Sequence, residues 1–312
     1  MADKRVLIVD DLHECILPLL SEAGYEPVYS PGIDRAGILQ IIQGFVGLII
    51  RSKTSVDKEL IDRATSLKFV ARAGAGMDNL DKQYLESKNI KAINAPEGNR
   101  DALGEHAVGM LLSLLHKIPS GHHEVVGGAW NREGNRGIEL KGKVVGIYGV
   151  GNMGMSFGTK LSSFECDIIG YDKFKGEFPG AFIKNVELEE LFERTEILSI
   201  HVPLYDLTRG LFNETYLRKF RNLKVLINTA RGEILDTKGL IKLLEEGVIY
   251  AAGLDVLENE KLSVYTEEEK AQLEKLSSLP NVLLTPHVGG WTYESYQRIS
   301  EVLAKKIGAL RS

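Results

Sequence analysis

The chain has 312 residues, is 44% hydrophobic and 26% charged, and carries a formal net charge of −5. At roughly 100–200 residues per domain the length predicts two domains, and the negative balance argues against nucleic acid or an anionic membrane as main partner. Cys15 and Cys166 stand far apart in no metal-like spacing, which argues against a disulfide framework and predicts a reducing, cytoplasmic setting. No apolar run approaches the roughly 18–20 residues of a membrane span.

In chain order, short apolar runs alternate with amphipathic stretches, the pattern of a parallel sheet wrapped by helices. In the first hundred residues the predicted strands are Val6–Val9, Gly47–Ile50, Phe69–Ala71 and Ala92–Ile93, with helices near Asp34–Gln43 and Lys58–Ala64. A long apolar helix is predicted from Ala102 to Ile118, with Asn99 or Asp101 as N-cap. A glycine-rich, basic segment then runs from Gly121 through Trp130 to Gly142. From Lys143 a second series has six predicted strands: Val144–Tyr148, Asp167–Tyr171, Ile197–Val202, Val225–Asn228, Ala252–Val256 and Val282–Leu284. The tail reads as a helix from Tyr293 to about Ala309 that packs back on the first domain.

The strand Val144–Tyr148 runs straight into Gly149-Val150-Gly151-Asn152-Met153-Gly154. A lone GxGxxG is weak, but this one follows a buried strand and opens a helix, the context a dinucleotide site needs. Gly149 makes the tight turn, Gly151 lets the backbone approach a pyrophosphate, and Gly154 allows close helix–strand packing. Asp172 follows eighteen positions after Gly154, at the end of the next strand. A carboxylate there accepts both ribose hydroxyls of NAD and repels the 2′-phosphate of NADP.

Three further strand ends carry an arginine, carboxylates and a histidine. They are Asn228-Thr229-Ala230-Arg231-Gly232, Asp255 with Glu258 and Glu260, and Thr285-Pro286-His287-Val288-Gly289-Gly290. Ligands bind at the carboxyl ends of strands in open α/β sheets. Two other patterns carry no chemistry on this reading. Tyr84 and Lys88 have the Tyr-x-x-x-Lys spacing but lie upstream of the glycine loop, and read as an exposed helix. The adjacent His122 and His123 cannot share a helix face, and no metal site is expected.

In these motifs the chain resembles the D-isomer-specific 2-hydroxyacid dehydrogenase family, over essentially its whole length. The likeness also takes in Arg51-Ser52, the Arg72–Asn79 run, Asn94-Ala95-Pro96, His201-Val202-Pro203-Leu204 and Leu254-Asp255-Val256. It implies an α/β fold of two Rossmann-like or flavodoxin-like lobes, with an NAD lobe at 99–287 inserted into a discontinuous substrate lobe of 1–98 plus 288–312. It implies a catalytic triad of Arg231, Glu260 and His287, the second acid after Leu-Asp-Val being preferred to Glu258. Arg231 would hold the substrate carboxylate, His287 would exchange the hydroxyl proton, and Glu260 would orient the imidazole and favour its protonated form. Asp255 would meet the nicotinamide carboxamide. Asn152, Met153, Val202, Pro203, Thr229, Ala230, Gly289 and Gly290 would complete the cofactor site.

On the substrate side, Arg51 and Arg72 would meet a phosphate, and the Gly74-Ala75-Gly76 loop would offer N–H groups to a carboxylate. The resemblance is greatest to phosphoglycerate dehydrogenation in the family, with reduction of hydroxypyruvate or glyoxylate as the rival. A non-enzymatic NAD-sensing corepressor on the same fold is the distant third. A homodimer made through the cofactor lobe is expected. A chain ending at Ser312 is expected to lack a serine-sensing regulatory domain. Departures from the family pattern are Asn152-Met153 in the phosphate loop, Lys261 after Glu260, a long charged stretch from Lys261 to Leu279, and Trp291 in place of a small residue.

Overall fold

The computed structural model describes residues 4–178 and 182–310, so the outermost ends of the predicted substrate lobe lie outside the described residues. The chain divides into two compact units, Met1–Arg100 with Trp291–Ser312, and Asp101–Gly290.

The first unit alternates β1 (Arg5–Ile8), α1 (Ile16–Glu22), β2 (Glu26–Tyr29), α2 (Arg35–Ile41), β3 (Gly47–Ile50), α3 (Lys58–Arg63), β4 (Phe69–Arg72), α4 (Lys82–Ser87) and β5 (Lys91–Asn94). All pairings are parallel, in the order β2-β1-β3-β4-β5, so the order reverses between β1 and β3. Because successive strand residues face opposite sides, β1 sends Leu7 into one core layer, which Val9 just past the strand also enters, and Val6 and Ile8 into the other. Each such fully buried aliphatic contributes roughly 1.5–3 kcal/mol.

One strand of this unit is not expected from sequence: β2 contains Pro27 and has no clean apolar alternation. Proline is tolerated there because β2 is an edge strand and need not donate on its outer side.

The long helix α5 (Pro96–Leu115) begins six residues earlier than predicted. Asn99 and Asp101 therefore lie inside it and do not cap it. Pro96 supplies the fixed φ of a first helical residue and has no N–H to leave unbonded. The predicted glycine-rich segment likewise opens with a helix, α6 (Ile118–Val126), with proline in its first turn.

In the second unit follow β6 (Val144–Tyr148), α7 (Asn152–Leu161), β7 (Asp167–Tyr171), β8 (Lys184–Asn185), α8 (Leu188–Arg194), β9 (Ile197–Ile200), α9 (Glu214–Leu217), β10 (Val225–Asn228), α10 (Thr237–Glu245), β11 (Ala251–Leu254), α11 (Glu267–Ser278) and β12 (Val282–Leu284). The sheet is parallel in the order β12-β11-β10-β9-β6-β7-β8. That is a doubly wound dinucleotide-type order with its reversal between β6 and β9. It has seven strands against the six predicted, the extra one being the two-residue edge strand β8. Residues of α5 and α7 pack on one face, and those of α8, α9, α10 and α11 on the other. The charged stretch after Lys261 contains α11, whose start is fixed by a capping box of Thr266 and Glu269.

The chain closes with α12 (Tyr293–Gly308), which belongs to the first unit. Its Ile299, Leu303, Ala304 and Ile307 enter that unit's core. Gly98 lets the start of α5 approach it, since a Cβ there would lie 2.6 Å from the Ile299 backbone. Lys306 Nζ ties it down through Glu97 Oε2 at 2.8 Å and the Asn94 carbonyl at 2.9 Å.

Candidate active site

Six strand ends of the second sheet present the predicted residues along one edge. At the first, the Gly149 turn has φ +95°, and a side chain there would strike the His201 backbone within 3.0 Å. At Gly151 an added Cβ would meet nothing, whereas at Gly154 it would lie 2.2 Å from the Gly149 carbonyl oxygen. The open space is therefore at the second glycine, facing the start of α7, and the tight packing is at the third. No side chain caps α7, so its first N–H groups and the positive end of its dipole are free for an anion. Asn152 is exposed and Met153 half-buried on that first turn.

Asp172, just past β7, receives Val150 N–H on Oδ2 and Phe174 N–H on Oδ1, each at 3.0 Å. This fixes the carboxylate beside the glycine turn. The neighbouring strand end carries His201, Val202 and Pro203. His201 is buried, with Nε2 2.8 Å from Ser199 Oγ, and burial pushes its pKa down to about 3. Its ring packs against Phe157, with centroids 5.4 Å apart. Beyond β10, Asn228 pins the turn, receiving Ala230 N–H on Oδ1 and donating to the Arg231 carbonyl, both at 3.0 Å. Thr229 is buried, and its hydroxyl oxygen has no hydrogen-bond partner among the described residues. These features fit NAD: an open glycine cradle, an uncapped helix start, a fixed ribose-seeking carboxylate and an unsatisfied hydroxyl.

The catalytic candidates follow on adjacent strand ends. Arg231 lies past β10 in extended backbone, and its guanidinium donates to the Ala230 carbonyl at 2.6 Å. Gly232 lets this loop press against the next one, since any Cβ there would lie 1.9 Å from the Leu257 carbonyl. Of the two acids on that neighbouring loop, Glu260 meets His287: its oxygens lie 2.8 and 2.9 Å from Nδ1. Glu258 instead accepts the Thr237 N–H at the start of α10, at 2.7 Å. The pair His287–Glu260 remains about half exposed, which leaves Nε2 available to a ligand.

His287 has φ +53°, a conformation that costs a non-glycine residue free energy and persists only where its surroundings impose it. The surroundings are visible. Asp255, 1% exposed, receives the Thr285 hydroxyl at 2.6 Å, Val288 N–H at 2.9 Å and Gly289 N–H at 2.8 Å, while its carbonyl accepts His287 N–H at 2.8 Å. His106 Nε2, from α5, completes the network at 3.1 Å from Thr285 Oγ1 and 3.4 Å from Asp255 Oδ1. Burial alone would raise the Asp255 pKa, but these donors outweigh it and hold the carboxyl below its ordinary value. Asp255 thus clamps the loop carrying His287. His106 carries no signal in sequence, and Thr285 reads there only as the start of the strand-end run that leads to His287.

In the first unit, Arg72 ends β4 and Arg51 follows β3. The register pairs Ile50 with Arg72, so alternation sends Arg51 and Arg72 to opposite faces of the sheet. Arg72 lies against Gly74, whose added Cβ would meet its guanidinium at 1.8 Å and whose φ is +140°. The Gly74-Ala75-Gly76 loop is anchored by Asn94, which donates to the Ala75 carbonyl at 2.6 Å. Arg51 lies 3.6 Å from the centroid of Trp291. Tyr84 is bonded to Lys58 at 2.7 Å on the surface of α3 and α4, as an exposed helix should be.

The sequence profile of the NAD binding domain of D-isomer specific 2-hydroxyacid dehydrogenases matches residues 108–289. This chain belongs to that family. It therefore carries an NAD-binding domain and a family relationship to NAD-dependent oxidoreductases. It is 34% identical to a hydroxypyruvate reductase of Thermotoga maritima, over 98% of both chains. It is 32% identical to a D-3-phosphoglycerate dehydrogenase of Methanocaldococcus jannaschii, over 97% of this chain but only 56% of that one. The chain thus spans little more than half the length of that relative. Among solved structures, a glyoxylate reductase from Paecilomyes thermophila is similar with a TM-score of 0.86 and 25% identity, over 98% of this chain and 95% of that one. Among the described residues no helix is long and apolar enough to cross a membrane, and no group of three or more His, Cys, Asp or Glu could hold a metal ion.

Proposed function

We propose that the chain interconverts a small D-2-hydroxy acid and its 2-keto acid through Arg231, Glu260 and His287, with 3-phosphoglycerate and its keto acid as the preferred pair. The observation that carries the reaction is the His287–Glu260 contact at 2.8 Å, in a loop held in positive φ by Asp255. When bound, NAD takes up or gives back the two electrons at the α-carbon as a hydride. Arg231 binds the substrate carboxylate with paired in-plane donors and polarises the adjacent carbonyl. His287 Nε2 holds the proton that goes to the carbonyl oxygen in reduction and removes it in oxidation. Glu260 fixes the ring through Nδ1 and stabilises the imidazolium. Asp255 keeps this loop in place and meets the carboxamide end of the cofactor. Gly149, Gly151, Asn152, Met153 and Gly154 take the phosphates, and Asp172 takes the ribose. Val202, Pro203, Thr229, Ala230, Gly289 and Gly290 line the rest.

On the first unit, which we assign to substrate, Arg51, Arg72 and the Gly74–Gly76 loop supply the anion contacts. The phosphorylated substrate is favoured by Arg51, whose guanidinium has no hydrogen-bonding or ion-pairing partner among the described residues. The second reading, hydroxypyruvate reductase, is favoured by the 98% mutual coverage with the Thermotoga maritima relative. A cytoplasmic homodimer is part of this reading. On this reading the subunits meet through the cofactor lobe, by the long helix α5 and the arm to Gly142, and the 72% and 80% exposure of Val126 and Trp130 on that arm supports it. The test is NADH oxidation at 340 nm with phosphohydroxypyruvate, hydroxypyruvate, glyoxylate and pyruvate. A tenfold or greater kcat/KM advantage for phosphohydroxypyruvate is expected. An advantage for hydroxypyruvate selects the second reading, and no turnover on any of the four overturns both.

A further inference from the structure

The Arg51 side chain sits at the point where the strand order of the first sheet reverses, between β1 and β3, where ligands gather in open α/β sheets. Its backbone is fixed: the N–H bonds Asp10 Oδ2, and its carbonyl accepts Asn79 Nδ2 at 3.2 Å. Its guanidinium is engaged differently. The central carbon lies 3.6 Å from the ring centroid of Trp291 and 5.8 Å from that of Tyr296. Among the described residues no carboxylate or carbonyl accepts from its nitrogens. Stacking of this kind holds a guanidinium by its face and leaves the N–H donors, which lie in its plane, unspent.

Trp291 is itself held by the start of α12. Thr292 is the N-cap, so Trp291 precedes the cap and Tyr296 is the fourth helical residue. Their rings meet edge-on with centroids 5.2 Å apart, the arrangement of a hydrophobic staple. His13 buttresses Tyr296 from the other side, at 5.8 Å. The indole that covers Arg51 is thus packed against the first turn of α12. Burial meanwhile disfavours the guanidinium's charge, pushing its pKa below the ordinary value, and a bound anion would relieve that.

We propose that Trp291 is a positioning residue for Arg51: stapled to α12, it holds the guanidinium flat so that its in-plane donors receive a second anionic group of the substrate. The enzyme then prefers a 2-keto acid bearing a further anion to one bearing only its carboxylate. This rests on the proposed function for the acid itself, but the anion site can be read without turnover.

In a Trp130→Phe background Trp291 is the single tryptophan, and its fluorescence is titrated with inorganic phosphate against chloride at matched ionic strength. A saturable change specific to phosphate is expected, lost in Arg51→Lys, which keeps the charge but not the planar fork. The kinetic arm compares phosphohydroxypyruvate with hydroxypyruvate. Trp291→Ala should cut the selectivity ratio tenfold or more, chiefly through KM of the phosphorylated acid, and Trp291→Phe should restore most of it. A ratio within threefold of wild type in Trp291→Ala overturns the proposal, as does a rise in turnover of the phosphorylated acid, which would make the indole a barrier. So does an unchanged phosphate titration in Arg51→Lys. Saturable phosphate binding with no turnover of any 2-keto acid would overturn the proposed function and leave this site standing.

Discussion

The two units share a plan, a parallel sheet reversed once and covered on both faces, yet they prepare their functional edges by different physics. In Asp101–Gly290 the edge is shaped by backbone. Gly149 and His287 take positive φ, Gly154 and Gly232 permit contacts no side chain would allow, and a buried Asp255 collects donors from its neighbours. In the other unit the corresponding reversal point holds a charged side chain by ring stacking and helix capping. A backbone-built edge offers fixed N–H groups suited to a constant ligand such as a cofactor. An edge built from one stacked cation can be retuned by one substitution, which suits the variable part of a substrate.

The largest effect is expected at Arg231. Arg231→Lys replaces the bidentate fork with a point charge, and kcat/KM should fall by about 3 kcal/mol, roughly a hundredfold or more; a fall under fivefold would put the substrate carboxylate elsewhere. Next, Asp255→Asn places an amide where Val288 and Gly289 already direct N–H groups. Leaving those buried groups mismatched should cost about 2–3 kcal/mol of stability by urea titration at pH 7. The sign with pH follows from the depressed Asp255 pKa. The wild-type advantage is full above the ordinary carboxylate range and shrinks as pH falls below it. An advantage that instead grew in acid would refute the clamp. Smallest, Glu258→Ala should cost about 0.5–1 kcal/mol through the lost bond to Thr237 N–H and leave kcat within twofold, since the neighbouring Glu260 holds His287.

How much of this was legible in the sequence divides along the same line. The backbone-built edge announces itself in local strings, because positive φ and close approach demand glycine at set positions: Gly149, Gly151 and Gly154 could be read at sight. The stacked edge does not. Arg51 and Trp291 are 240 positions apart, and their contact follows from a helix cap that sequence alone does not place beside β3. For the same reason His106, on α5, could not be connected to Thr285 and Asp255 beforehand. Within the fold, the misses were edge elements and helix starts. Pro27 disguised β2, two-residue β8 is too short for any period, and Pro96 began α5 where later capping residues drew attention.

In the proposed reaction His287, held 2.8 Å from Glu260, moves the proton. The direct measurement is NADH oxidation by His287→Gln beside NADH binding followed by fluorescence. A kcat lower by roughly 10²–10⁴-fold is expected, with the NADH Kd within about twofold. Retained kcat with intact NADH binding would contradict it and send the search for the acid elsewhere on the edge.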